Sequence, residues 1–261
     1  MFRLHILGEV LLDAGQVRVN RRMVRGLLVA LAFNANTAVS GDRLTEMLWD
    51  SPPKSAMANL RSHAAELRKQ LAGTTFAQSL QHVTAGYRLD VDPADCDATV
   101  FASLACNGHR HLQRGDLTGA AARLREALRV WREPSYATLP SSSWMISEFE
   151  QRHDVMMQAR DDLHVARLLL HDTEGLLPEL RRNAALFSHH ERTWGRLMQV
   201  SYLSGDQVSA LAAFQRATTT LSDSYGLDAS PELHRLHLAI LNHDEEAIAG
   251  YGVPVVTAGA G

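Results

Sequence analysis

The hydrophobic period changes near the start of this chain, and that change restricts the fold more than any other feature. Phe2, Leu4 and Ile6 fall on one face of an alternating segment and Arg3 and His5 on the other, the period-two pattern of a half-buried strand. Gly8 and Asp13-Ala14-Gly15, with Val17 and Val19 beyond, read as turns between short antiparallel strands. From about Arg21 the spacing becomes helical: Val24, Leu27, Leu28 and Leu31 recur at steps of three and four until Asn34-Ala35-Asn36 breaks them. Ser40 suits the N-cap of a second helix, with Leu44, Met47 and Leu48 inward and Trp49 near its end; Asp50-Ser51-Pro52-Pro53 stops it. Ser55 suits the cap of a third helix, whose apolar stripe is Met57, Leu60, Ala64, Leu67 and Leu71. Arg61, Ser62, His63, Ala65, Glu66, Arg68 and Lys69 lie outward or flanking, a cationic outer surface. Val83 to Leu89 returns as a hairpin, with Gly86 free to turn and Arg88 near its tip or return strand.

A small sheet, three helices and a hairpin form the order of a winged helix. A helix about 10–12 Å across fits the major groove of B-DNA, and a basic hairpin reaches the neighbouring backbone or minor groove. The third helix is expected to read and the hairpin to clamp. Arg61, Ser62 and Glu66 are the candidates for base edges; His63, Arg68, Lys69 and Arg88 are the candidates for phosphates. Lys54 and Arg43, near helix starts, are further phosphate candidates. Glu66 has three open roles: accepting from cytosine N4, pairing with a neighbouring Arg, or facing solvent.

After Pro93 the period is helical almost throughout. Arg114-Gly115-Asp116 is followed by Ala120, Leu124, Ala127 and Leu128, and the figure returns as Ser204-Gly205-Asp206 with Ala210, Phe214 and Ala217. A Gly-Asp turn followed by small residues where the next helix approaches closely is the mark of tetratricopeptide-like hairpins. Arg160 to Leu170 and Leu177 to Phe187 supply intervening units. The fold class is therefore mainly α with a small β component. It divides into an α+β winged helix over 1–92, an all-α helical-repeat domain over 98–250, and a flexible tail over 251–261.

Charge is distributed unevenly along the chain. The first ninety residues carry eleven Lys/Arg against seven Asp/Glu, and the remainder is acidic. Because salt limits exposed charge interactions to about 8 Å, a polyanion responds to the local positive field and not to the distant acidic part. No run of about 18 apolar residues is present to span a membrane, and no export signal is evident at the start. Cys96 and Cys106 make neither a disulfide framework nor a metal-ligand spacing, so a reducing cytoplasm is the expected compartment. His109 with His111, and His189 with His190, diverge on a helix; His234 and His237 share a face but lack further ligands. Without a nucleophile elbow, P-loop or dinucleotide fingerprint, an enzyme is not expected, and neither is a metal or cofactor.

Several stretches in order carry a resemblance: Asn34-Ala35-Asn36 with Val39-Ser40, Leu48-Trp49, Pro52-Pro53, Glu66-Leu67-Arg68-Lys69, and Gly86-Tyr87-Arg88-Leu89-Asp90-Val91-Asp92-Pro93. They resemble the DNA-binding domain of the Streptomyces antibiotic regulatory protein family. Arg192 to Met198, Tyr202, Gly205-Asp206, Ala210 to Phe214, Tyr225-Gly226-Leu227 and Ser230 to Leu233 are similar to the bacterial transcriptional activation domain that follows it in that family. Glu66, Ala58 and Ala65 depart from the basic or polar residues many relatives place there. The resemblance implies a sequence-specific activator that binds direct repeats in double-stranded promoter DNA, often as a side-by-side homodimer. It also implies recruitment of RNA polymerase through its sigma factor and other subunits, with the loop of Trp49, Asp50, Ser51, Pro52 and Pro53 as a contact, and control of a secondary-metabolite gene cluster. Longer relatives carry an ATPase module, which is expected to be missing here. The competing expectation is a helical-repeat adaptor or ligand sensor with an accessory winged helix.

Overall fold

The computed structural model describes residues 2–134 and 136–253. Three short strands, β1 (Leu4–His5), β2 (Leu11–Leu12) and β3 (Val17–Arg18), form an antiparallel sheet in that order. Leu4 and Ile6 are buried beneath it and Arg3 is exposed, as alternation requires. There follow α1 (Arg22–Phe33), α2 (Gly41–Leu48), α3 (Ala56–Leu71) and the hairpin β4 (Leu80–Val83) and β5 (Gly86–Leu89). The Ser40 hydroxyl caps α2, accepting from the Arg43 amide at 3.2 Å.

Two local expectations change at α3. Ser55 makes no cap; its hydroxyl accepts from the Asn59 side-chain amide at 3.2 Å. Met57, placed in the apolar stripe by spacing, is 39% exposed, and Ala56 is buried instead. The steps from Ala56 through Leu60, Ala64, Leu67 and Leu71 are four, four, three and four, which keeps one face continuous and turns position 57 about 100° away from it.

β5 is paired on both edges. β4 lies antiparallel to it with Val83 opposite Gly86, and on the other edge Val39 and Tyr87 exchange two backbone hydrogen bonds of 2.8 and 2.9 Å. Gly86 has φ +139°, and any Cβ there would collide with the Val39 carbonyl, so only glycine fits this close approach. Asn36, at φ +64°, holds the strand that leaves the wing: its side chain bonds both the amide and the carbonyl of Val91, at 3.0 and 2.9 Å.

The rest is helical: α4 (Asp97–Gln113), α5 (Leu117–Val130), α6 (Ser143–Leu169), α7 (Leu176–Leu186), α8 (Glu191–Leu203), α9 (Gln207–Tyr225), α10 (Pro231–Leu241) and α11 (Glu245–Ala249). The chain forms two compact units, residues 1–106 with 126–157 and residues 107–125 with 158–261. They differ from the 1–92 and 98–250 division read from the sequence, and α1 shows why. Gly26 to Ala32 are buried around the whole helix, not along one stripe. The first unit therefore includes a second cover: Pro140 fills the space over Gly26, and Phe33 meets Phe149 at 5.3 Å.

The second unit repeats one device. Gly115 (φ +76°) and Gly205 (φ +82°) turn the chain in the left-handed region, and Asp116 and Asp206 then accept from the amides of Gly119 and Ser209, both at 2.9 Å. Ala210, Ala213 and Ala217 are fully buried, as close approach of α9 demands. The tail expected from residue 251 starts as packed structure. Tyr251 is buried over Gly195, where a Cβ would strike its hydroxyl, and its carbonyl accepts from Arg196 at 2.9 Å. Residues 254–261 lie outside the described residues.

Candidate nucleic-acid interface

α3 is 16 residues long, about 24 Å at 1.5 Å per residue, and its buried face packs on α1 and α2. That backing leaves Ser62 and Lys69 exposed on the opposite side and Arg61 exposed on the flank. Among the described residues, Lys54, Arg61 and Lys69 form no ion pair or side-chain hydrogen bond. Arg68 is half-buried, with its guanidinium 5.8 Å above the Tyr87 ring, so it links α3 to the wing while its charge stays near the surface.

The remaining candidates are more engaged than the spacing suggested. His63 is half-buried and stacks on Trp49, with centroids 6.1 Å apart and planes 25° from parallel. Burial and then the charge of Arg21 hold its pKa below the ordinary value of 6.5, so at neutral pH it is an uncharged donor and not a cation. The Glu66 carboxylate accepts from Gln70 at 2.8 Å; that bond, with the charges of Arg21 and Lys69, holds its pKa below the usual range. Its partner is thus Gln70, one turn further along α3, and not an arginine. Arg88 grips Asp90 with two hydrogen bonds of 2.6 and 3.0 Å, and the turn itself is Thr84-Ala85, which carries no charge. Arg43 pairs with Glu46 at 3.0 Å.

The loop after α2 divides in the same way. Ser51, Pro52, Pro53 and Lys54 are exposed. Asp50 is exposed too, but its carboxylate accepts from the Ser143 amide at the start of α6, at 2.7 Å. Arg21 was missed by hydrophobic spacing. It sits at φ +67° before α1, and its field reaches both His63 and Glu66. A cation one residue before the first helical position was the available signal.

Other groups do not assemble a competing site. Among the described residues no three His, Cys, Asp or Glu side chains are grouped to hold a metal ion, and no helix is long and apolar enough to cross a membrane. His237 stacks on Phe214 at 3.9 Å instead of joining His234 as a ligand pair.

A winged helix with an exposed basic α3 and a following array of helical hairpins is the architecture of a bacterial transcriptional regulator. A family model described as "Bacterial transcriptional activator domain" matches residues 96–241. The chain is 32% identical to the Regulatory protein DnrI of Streptomyces peucetius, over 85% of each chain. It is 31% identical to the Transcriptional regulator RedD of Streptomyces coelicolor, over 92% of this chain and 71% of that one. A solved structure of Mycobacterium tuberculosis EmbR in complex with a low affinity phosphopeptide superposes with a TM-score of 0.82 at 27% identity, covering 95% of this chain and 69% of that one. The chain belongs to the Streptomyces antibiotic regulatory protein family and is a transcriptional activator of that type.

Proposed function

We propose that the chain binds double-stranded promoter DNA by laying α3 in a major groove, with Arg61 and Ser62 at base edges. Arg68, Lys69 and Lys54 contact phosphates, with Arg21 added to that set. The observation that carries this reading is that Arg61 and Lys69 of α3 are exposed and unpaired, one flanking and one opposite its fully buried stripe. Such cations release counterions when they neutralise phosphates, which makes binding favourable and salt-dependent. Arg88 and Arg43 are secondary, because each already has a carboxylate partner. His63, whose pKa burial and Arg21 lower in the free chain, offers a ring N–H as a hydrogen-bond donor.

The activating step is recruitment of RNA polymerase and its sigma factor, and the exposed Ser51-Pro52-Pro53 tip is its contact. Family membership supports binding to direct repeats as a homodimer, and regulation of a secondary-metabolite cluster. A mobility shift with direct-repeat promoter DNA and with random duplex tests the DNA half. Arg61→Ala and Ser62→Ala are expected to lose discrimination between the two. A chain that shifts neither duplex would overturn the reading in favour of a helical-repeat adaptor.

A further inference from the structure

The segment before α6 is fastened to the winged helix at α1 and at the end of α2, the helix that leads into the Trp49–Pro53 loop. The Arg22 and Arg25 guanidinium groups donate to the carbonyls of Leu139 and Thr138 at 2.5 and 2.9 Å, and Pro140 occupies the space over Gly26. Ser142 then bridges two helix ends. Its hydroxyl donates to the carbonyl of Met47, in the last turn of α2, at 2.5 Å, and accepts from the amide of Met145, in the first turn of α6, at 3.2 Å. Carbonyls of a last turn and amides of a first turn lack intrahelical partners, so each end supplies what the other needs. Asp50 completes the exchange by accepting from the Ser143 amide at 2.7 Å. Trp49, one residue earlier, is stacked on His63 of α3. The exposed residues Ser51 to Pro53 are thus strung between two anchors. Beside the junction lies a cleft of about 220 Å³ bordered by Arg22, Trp49, Asp50 and Pro140.

We infer that Ser142 and Asp50 are positioning residues for activation: they hold the Trp49–Pro53 loop in the pose it presents to polymerase. Ser142 is 3% exposed and cannot touch a partner itself, so its effect on activation must pass through the loop. Asp50 acts as a hydrogen-bond acceptor for a helix end, a role asparagine fills equally well, and not as a charge offered to polymerase. The inference rests on the proposed reading of the loop as the polymerase contact.

The test uses the full chain in transcription with purified RNA polymerase on a saturated promoter, with DNA affinity and amide exchange of Trp49 to Ser51 measured on the same proteins. Ser142→Ala and Asp50→Ala are each expected to lower transcript yield and speed exchange by about fivefold, the size of one lost helix cap. DNA affinity stays within about twofold, as for a change remote from the DNA face. Asp50→Asn is expected to match the wild type in all three. Unchanged exchange in Ser142→Ala would overturn the positioning role, and Asp50→Asn as inactive as Asp50→Ala would overturn it in favour of a direct charge contact. Faster exchange with undiminished transcript would remove the loop from polymerase contact, so the proposed reading and this inference would fail together. Should Ser142→Ala not fold, Asp50→Ala, at an exposed carboxylate, carries the same measurements.

Discussion

Arg61 on α3 and Arg196 on α8 are the same residue type on helices of similar length, yet they do opposite work. Arg61 is exposed and unpaired, with an apolar stripe behind it. Arg196 is 1% exposed. Its guanidinium meets Asp161 at 3.1 Å, Gln199 at 2.5 Å and the Tyr251 carbonyl at 2.9 Å. A buried charge is tolerated only when its donors are matched, whereas an exposed one can remain unmatched in water until a polyanion arrives. The comparison separates scaffold charges from interface charges by their partners and not by their type. In the second unit the Glu179 carboxylate is matched by His164 and Arg167, at 3.2 and 2.9 Å.

The largest effect is expected where a matched group is broken. Arg196→Met leaves Asp161 and two acceptors without their donor and is expected to cost about 3–5 kcal/mol in urea unfolding. A cost below about 1 kcal/mol, the range of a surface pair, would erase the distinction drawn between the two arginines. Arg61→Ala is expected to do the reverse. Stability should stay within about 0.5 kcal/mol, while preference among operator bases falls by about 1–3 kcal/mol. Equal losses on operator and random DNA would move Arg61 from base edges to the phosphate backbone.

Most of the winged helix, and the turns of the second unit, were legible because their signals are local. Period change at Arg21, the Ser40 cap and the Gly-Asp turns at 115 and 205 each act within a few residues, and each appears where spacing put it. Ser55 was misread because a good capping residue caps only if its backbone is extended, and φ −89°, ψ 8° is not. The division of the chain was less legible. The cover over Gly26 comes from residues more than a hundred positions away, and a glycine in an apolar helix does not name its neighbour. At the candidate site the cationic face of α3 could be read. The partners of Glu66 and Arg88, four and two residues away, were not picked out, because spacing offers several such neighbours and does not say which bond forms; the partner of Asp50 lies 93 residues away and leaves no local signal.

Acid separates the two regions further. The hydrogen bond from His164, with the charges of His164 and Arg167, lowers the Glu179 pKa from 4.5 to about 2. The unfolded chain therefore takes up this proton first, and the stability the carboxylate contributes is complete above about pH 4.5 and lost as pH falls toward 2. After discounting for solvent screening, about 1–2 kcal/mol should disappear over that window. Glu179→Gln should flatten this part of the stability profile; an unaltered profile would show that the group is not matched in the way its geometry indicates.

The smallest effect is also the one that best tests where α3 stands between the two classes, because Arg68 has something of both. Its guanidinium lies over Tyr87, which anchors the wing, yet among the described residues no carboxylate pairs with it. If it contacts one phosphate, Arg68→Ala should weaken binding to every sequence alike and reduce the slope of log affinity against log salt by about 0.9. Arg68→Lys keeps the charge and gives up the planar stack, so the slope should hold while the wing loosens by about 0.5–1 kcal/mol. Lys69→Ala, at an exposed side chain with no ring beneath it, should reproduce the slope change with no loss of wing stability. An Arg68→Ala slope equal to that of the wild type would place Arg68 with Arg196, among the charges that build the protein and not those that meet its DNA.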